Sequence, residues 1–332
     1  MRIIVDAFGG DNAPLAVLQG ASAAVREYNV NILLCGNKQK ILDTAREHGI
    51  PMDNMDIAHA PEVFDIHEEP TKILKARADT SLAEGFRRLV MDDGDAFVSA
   101  GSTGAMLVGA TFIVKRIKGV KRPALGAVLP GQAGPVMLID TGANVECRPE
   151  MLVQFAAMGG IYMNKVLKIG SPRVGLLNVG AEDTKGDQLR LDTHRLLSES
   201  NSKLNFVGNV EARDALEGVC DVLAADGFSG NVLLKSIEGT VGMIMKNIKA
   251  VLTKNALTKA GAILVKPGMK ELKAKMDYAE YGGAPLLGVC KPVIKAHGSS
   301  DAKAIKNAVR QAADFTNTGV IKQIGESIDQ KK

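Results

Sequence analysis

The sequence predicts an α/β protein in which helices cover both faces of a mostly parallel sheet. Three observations carry that expectation. Short β-branched or apolar runs alternate with helical patterns along the chain, and glycine-rich turns close several of the runs. Glycine is also abundant at 35 residues, while aromatic residues make up only 4% of the chain and Trp is absent. Alternating strand, turn and helix is the pattern of parallel strands joined by crossover helices, and tight strand-to-helix turns consume glycine.

Strands are predicted at Ile3–Val5, Asn31–Leu34, Ala96–Val98, Val136–Ile139, Val174–Leu177, Asn205–Val207 and Asp221–Ala224. Helices are predicted at Pro14–Tyr28, Gln39–His48, Thr71–Val90, Ala105–Arg116, Pro149–Met163 and Asp187–Ser200. A chain of 332 residues that is 46% hydrophobic can bury a large core, and no repeat, low-complexity tract or linker divides it. One catalytic domain over 1–332 is expected.

The longest helical pattern begins near Asn231. Leu234, Ile237, Val241, Ile244, Ile248 and Val251 recur at steps of three and four, which makes a continuous apolar stripe. Residues 246–275 then carry eight lysines and one acid, Glu271, for a local charge of +7 that leaves −3 on the rest of the chain. Pro267-Gly268 is predicted to break the helix, with a second helix returning over Met269–Met276. Residues 246–276 therefore read as a helical hairpin with a basic, apolar tip at 254–270. Such a tip suits an anionic membrane surface. The alternative is a dimer or core contact with a solvated lysine face.

Other classes fit poorly. Base-stacking aromatics are scarce and net charge is only +4, so no nucleic-acid partner is expected. Cys35, Cys147, Cys220 and Cys290 form no C-x-x-C pair, which favours a reducing, cytoplasmic location. The apolar run after Met1 is too short for a secretion signal, and Ala96–Val114 is interrupted by polar, turn-forming residues, so neither a leader nor a transmembrane segment is predicted. G-x-G-x-x-G and G-x-x-x-x-G-K-[ST] are both absent, as is metal-like Cys/His spacing, so no cofactor and no metal are expected.

The chemistry is sought at the turns. Asp6-Ala7-Phe8-Gly9-Gly10-Asp11 follows the first strand, Gly101-Ser102-Thr103-Gly104 another, and Asp140-Thr141-Gly142-Ala143-Asn144 a third. Asn178 leads towards Lys185-Gly186, and Asp226 with Gly230-Asn231 opens the long helix. In a parallel sheet such turns gather at the carboxyl edge, where glycines admit an anion to backbone N–H groups. Each turn alone is better explained by a tight connection. Their recurrence with Asn or Asp is what points to a phosphate or other oxyanion. Lys235 falls in the first turn of the long helix and Lys185 beside Gly186, where each is either an anion ligand or a surface lysine. His297, in a polar loop, is the histidine best placed for acid–base work, with a structural hydrogen bond as the alternative. Cys147 reads either as an acyl-accepting nucleophile or as an inert thiol; no histidine lies near it in sequence to support the former.

Taken in order, these segments resemble the phosphate acyltransferases of bacterial phospholipid synthesis. The resemblance runs through VDAFGGDNAP (Val5–Pro14), VSAGSTGA (Val98–Ala105), RPAL (Arg122–Leu125), IDTGANVECRP (Ile139–Pro149) and QFAAMG (Gln154–Gly159). It continues through VGLLNVGAEDTKG (Val174–Gly186), FVGNVE (Phe206–Glu211), DGFSGNVLLK (Asp226–Lys235), YGGAPLLG (Tyr281–Gly288) and HGSS (His297–Ser300). Ser102 stands where the family usually has Asn, Glu146 where Asp is usual, and Thr80-Ser81 replaces an Asp-Ser-Ser pattern.

The resemblance implies a three-layer α/β/α sandwich related to phosphotransacetylases and isocitrate-type dehydrogenases. It also implies a cytosolic homodimer acting at the inner face of the membrane. The implied reaction moves a fatty acyl group from acyl carrier protein to inorganic phosphate. The acyl phosphate then serves a membrane glycerol-3-phosphate acyltransferase. The acidic carrier would be a second partner for the cationic 246–275 segment. Because phosphate is a competent nucleophile and a thioester an activated donor, the enzyme needs to position the two and stabilise an oxyanion. Turn amides with Lys185 or Lys235 would hold phosphate, Asn144, Asn178 or Asn231 would face the oxyanion, and His297 or a lysine would protonate the thiolate. A metal-dependent oxidoreductase on the same sheet, or a non-catalytic membrane scaffold, are the competing readings.

Overall fold

The structure, a computed structural model, describes residues 1–199, 204–275 and 278–329. Eleven strands among them pair into one sheet: β1 (Arg2–Asp6), β2 (Asn31–Gly36), β3 (Met55–His59), β4 (Ala96–Ser99), β5 (Ala124–Gly131), β6 (Gly134–Ile139), β7 (Arg173–Asn178), β8 (Asn205–Glu211), β9 (Val222–Ala224), β10 (Ala284–Leu287) and β11 (Val293–Lys295). Every predicted strand is among them. The four that were not predicted lack a clean apolar run: β3 alternates with Asp56 and His59, β5 carries Gly126, Pro130 and Gly131, β10 holds Pro285, and β11 ends in a lysine.

Strand order is β3-β2-β1-β4-β11-β10-β5-β6-β9-β7-β8. β1 to β4 and β11 run parallel, and so do β6, β9, β7 and β8. Between these blocks the pairs β11–β10, β10–β5 and β5–β6 are antiparallel. The two parallel blocks therefore point in opposite senses, and the turns do not share one carboxyl edge as predicted. Each block has its own. Turns from both edges nevertheless contribute to the lining of one cavity.

Helices α1 (Leu15–Tyr28), α2 (Lys38–Glu47), α3 (Ser81–Val90), α4 (Thr103–Gly109), α5 (Pro149–Lys165), α6 (Gln188–Glu199), α7 (Gly227–Leu252), α8 (Ala256–Lys275), α9 (Ala302–Asn317) and α10 (Val320–Asp329) complete the described fold. They cover both faces. Ile3 and Val5 enter one core with α1, α5 and α9, while Ile4 enters a second with α3 and α4. All three side chains are at most 1% exposed, so β1 is buried on both sides.

Three predicted helices change. Thr71–Val90 splits into a 3₁₀ turn at Pro70–Leu74 and α3, because the Thr80 hydroxyl accepts from the Ala83 N–H and restarts the helix. The helix predicted at Ala105–Arg116 starts earlier, at Thr103, capped by Ser102; it continues as a π turn over Ala110–Val114 and ends at Lys115, whose φ is 74°. Pro267 does not break the hairpin: α8 runs through it, and Met276 lies outside the described residues. Residues around Pro267 are exposed, so water can satisfy the carbonyl that the ring leaves unpaired. The turn of the hairpin is thus at Thr253–Asn255, with Ile263, Leu264 and Val265 along the flank of α8. Leu257, Ile263 and Leu264 are 82%, 72% and 83% exposed. The α7 stripe packs on the core only near its start, at Leu234 and Ile237, while Val251 is exposed. No described helix is long and apolar enough to cross a membrane.

Candidate active site

The first block gathers three loops. Ser99 Oγ donates to Asp6 Oδ2 at 2.7 Å, and Gly101 N donates back to Ser99 Oγ at 2.9 Å. A Cβ on Gly9 would lie 2.7 Å from the Gly101 nitrogen, so only glycine lets these turns approach this closely. Asp11 N donates to the Gly298 carbonyl at 2.8 Å, and Asn12 Nδ2 donates to the carbonyls of Ser299 and Ser300. Asp6 is buried, which raises its pKa against the hydrogen bonds that stabilise its charge. Ser102 caps α4, accepting from Ala105 N, and a Cβ on Gly104 would strike Pro70.

The second block has its own knot. Asp140 accepts from the N–H groups of Leu125, Ala143 and Asn144 and from Asn144 Nδ2. The Asn144 amide also donates to the Pro123 carbonyl at 2.7 Å. Asp226 caps α7 by accepting from Ser229 N and pairs with Arg190, whose guanidinium also donates to Ser229 Oγ at 2.8 Å. Asn178 donates to the Lys185 carbonyl, and Lys185 itself is exposed. The N–H groups of Gly227 and Gly230 are spent on Asn144 and Asp226. At these turns glycine serves close packing, and the amides are engaged within the protein.

Between the blocks lies a cavity of about 320 Å³. Thr103, Lys295 and His297 line it from the first block, and Thr141, Gly142, Asn231, Lys235 and Glu238 from the second. Leu125, Ala127, Val128, Leu129 and Leu234 form an apolar wall, with Gly282 and Gly283 beside it. Of the residues singled out from sequence, Thr103, Asn231, Lys235 and His297 reach this lining. Asp6, Gly9–Asp11, Gly101, Ser102, Gly104, Asp140, Asn144, Asp226 and Gly230 build the turns behind it, and Asn178 and Lys185 stand outside it.

Lys295 is the residue that sequence reasoning missed. Its signal was a cation ending the apolar run Pro292-Val293-Ile294, where a buried strand wants an apolar side chain. Nζ donates to the Ala100 carbonyl at 3.3 Å and to the Ala296 carbonyl. Burial, and then the nearby Lys235, push its pKa down to about 8, against the pull of Asp6 and Asp11. The same two causes lower His297. Ser299 N donates to His297 Nδ1 at 3.1 Å, which places the proton of the neutral ring on Nε2. Lys235 Nζ is 2.7 Å from Glu238 Oε2. Two lysines and a histidine thus meet on one small cavity, where Lys235 disfavours the charged forms of Lys295 and His297, an arrangement that an anion would relieve. Cys147 lies behind it, and burial raises its thiol to about 11, which makes a poor nucleophile.

The profile of a family described as "Fatty acid synthesis protein" matches residues 1–323. A protein of Thermoanaerobacterium thermosaccharolyticum named phosphate acyltransferase is 46% identical over 329 residues, 99% of this chain and 97% of that one. This chain belongs to the phosphate acyltransferase family. A second member, from Bacillus licheniformis, is 46% identical over 333 residues, 100% of this chain and 99% of its own length. The fold is shared with a phosphotransacetylase from Streptococcus pyogenes at a TM-score of 0.66, with 16% identity and coverage of 95% and 94%. As a phosphate acyltransferase the protein is an enzyme that transfers acyl groups, and the α/β sheet is the scaffold for that chemistry.

Proposed function

We propose that the cavity transfers a fatty acyl group from acyl carrier protein to inorganic phosphate, giving the acyl phosphate that a membrane glycerol-3-phosphate acyltransferase consumes. The observation that supports it is the meeting of Lys235, Lys295 and His297 on a cavity that Leu125, Ala127, Val128, Leu129 and Leu234 also line. Phosphate takes the cationic side, and the thioester carbonyl lies between it and the apolar wall. A phosphate oxygen attacks the carbonyl carbon, and the oxyanion that develops is met by Lys295 and the Asn231 amide. As the tetrahedral centre collapses the C–S bond breaks, and the thiolate leaves with its electron pair and takes a proton from the Lys295 ammonium, or from His297 where bound phosphate holds that ring protonated. Lys185, outside the lining, is the reserve anion ligand. The α7–α8 hairpin holds the enzyme at the inner face of the membrane, and the working unit is a cytoplasmic homodimer.

The test is direct. Carrier-bound acyl thioester is mixed with enzyme and phosphate, and free thiol and acyl phosphate are followed together. Phosphate-dependent release of both, in equal amounts, is the expected outcome. Thiol release without phosphate, or an acyl group trapped on the enzyme after rapid quench, would sink the reading.

A further inference from the structure

A second cationic surface lies beside the cavity, in the segment between α4 and β5. Lys115, Arg116, Lys118, Lys121 and Arg122 fall within eight residues that contain no acid, and all five are exposed. Their chain is held firmly. Ile117 and Val120 are buried at 8% and 5% exposure, Val114 and Pro123 are buried as well, and the cations stand between these anchors. Gln154 clamps the loop, accepting from Lys121 N at 2.8 Å and donating to the Gly119 carbonyl at 3.0 Å. Ile117 N donates to the Gly288 carbonyl at 3.0 Å. Among the described residues the one carboxylate within ion-pair reach of the five is Glu150, 3.8 Å from Lys121 and itself half exposed. The Arg116 guanidinium is turned to the carbonyls of Val120 and Lys121, which leaves its charge unneutralised.

Fixing five like charges on a rigid loop with a single carboxylate beside them costs free energy unless an acidic partner meets them. The loop's position narrows the choice of partner. Pro123, its last anchor, accepts from the Asn144 amide, and Leu125, two residues on, is part of the cavity wall. Phe112, just before the loop, and Val145, next to Asn144, are each 63% exposed and add apolar contact area. A partner seated here would sit at the rim of the cavity, where a thioester on a flexible arm can be passed inward.

We infer that the 112–122 surface, with Val145, is the docking site for the acidic carrier protein that delivers the acyl thioester. This rests on the proposed function above. It also separates the two cationic regions of the chain: this surface takes the carrier, and the hairpin is left for anionic lipid.

The experiment is charge reversal at Lys115, Lys118 and Lys121 to Glu, assayed with two donors: carrier-bound acyl thioester and the same acyl group on uncharged pantetheine. The expected result is a KM for the carrier donor raised by about tenfold or more, with weaker salt dependence, because rim charges steer association and are screened by salt. Turnover of acyl-pantetheine should be unchanged, which also shows that the variant is folded. An unchanged carrier KM overturns the proposal, and so does equal loss with both donors. Reversal of Lys254 and Lys259 in the hairpin is the parallel arm; if that variant, and not the first, raises the carrier KM, the docking site has been misplaced. Should the unaltered enzyme turn over neither donor, the proposed function fails. Direct binding of carrier protein to the unaltered and charge-reversed enzymes then still decides the docking surface.

Discussion

A Cβ on Gly230 would lie 1.9 Å from the carbonyl oxygen of Asp140. The first turn of α7 is thus pressed against the turn after β6 at a distance that only glycine permits. This contact sets where Asn231 and Lys235 enter the cavity. Gly230→Ala should displace the start of α7, with a stability loss of about 1–3 kcal/mol as for other overpacked sites. Activity should fall by at least about tenfold, since small misplacements at a positioned site are costly. Thermal unfolding and steady-state rates measure the two effects, and a variant with unaltered kinetics would show that this contact does not position the site.

Lys295 gives a pH-dependent prediction. Its folded pKa of about 8 lies below the 10.5 of a free lysine, chiefly because of burial. The unfolded chain therefore holds more protons between those values, and this residue's contribution to unfolding free energy rises with pH across that window. The cost of its buried charge is fully present below about pH 8. Lys295→Met should accordingly stabilise the ligand-free protein at pH 7, by on the order of 1–2 kcal/mol after its hydrogen bonds are lost. It should also remove most activity. In the unaltered enzyme the rate at limiting substrate should fall as pH rises through about 8, and Lys295→Arg should move that fall upward. A destabilised Met variant, or a pH profile indifferent to Arg, would contradict this account.

Lys235 is paired with Glu238 and half exposed, so an anion at the proposed site would have to compete for it. Lys235→Ala should raise the KM for phosphate by about tenfold, corresponding to the lower end of the 1.5–3 kcal/mol range for a hydrogen bond to a charged group. The KM for acyl donor should change little. Glu238→Gln should lower the phosphate KM by freeing the lysine. If phosphate kinetics are unaltered in folded Lys235→Ala, the anion site moves to Lys185.

Leu257 and Ile263 expose most of their surface on α8 among lysines. Changing both to Glu should abolish binding to vesicles of anionic lipid while activity in solution stays intact. Sedimentation with vesicles and the thiol-release assay give the two readings. Survival of vesicle binding would end the membrane role, and collapse of activity or of dimerisation would assign the hairpin to the carrier protein or to the partner subunit.

The fold class, seven strands, the long helix and the family are legible in the residues alone. These follow from local periodicity and from motifs that lie on contiguous stretches such as Asp226–Lys235. Tertiary structure decided the opposite sense of the two parallel blocks, because a strand such as β5, with Gly126, Pro130 and Gly131, is made by its neighbours and not by its own propensity. It also decided that Lys235 and His297 share a cavity with Lys295. A lysine at the end of a buried strand reads as a flaw in the pattern. Its meaning comes only from β11 pairing between β4 and β10, which carries the ammonium to the Ala100 carbonyl and within electrostatic reach of Lys235. Local pattern records what each residue asks of its own segment, whereas the repulsion that Lys235 exerts on the charged forms of Lys295 and His297 exists only once the fold has brought them to one cavity.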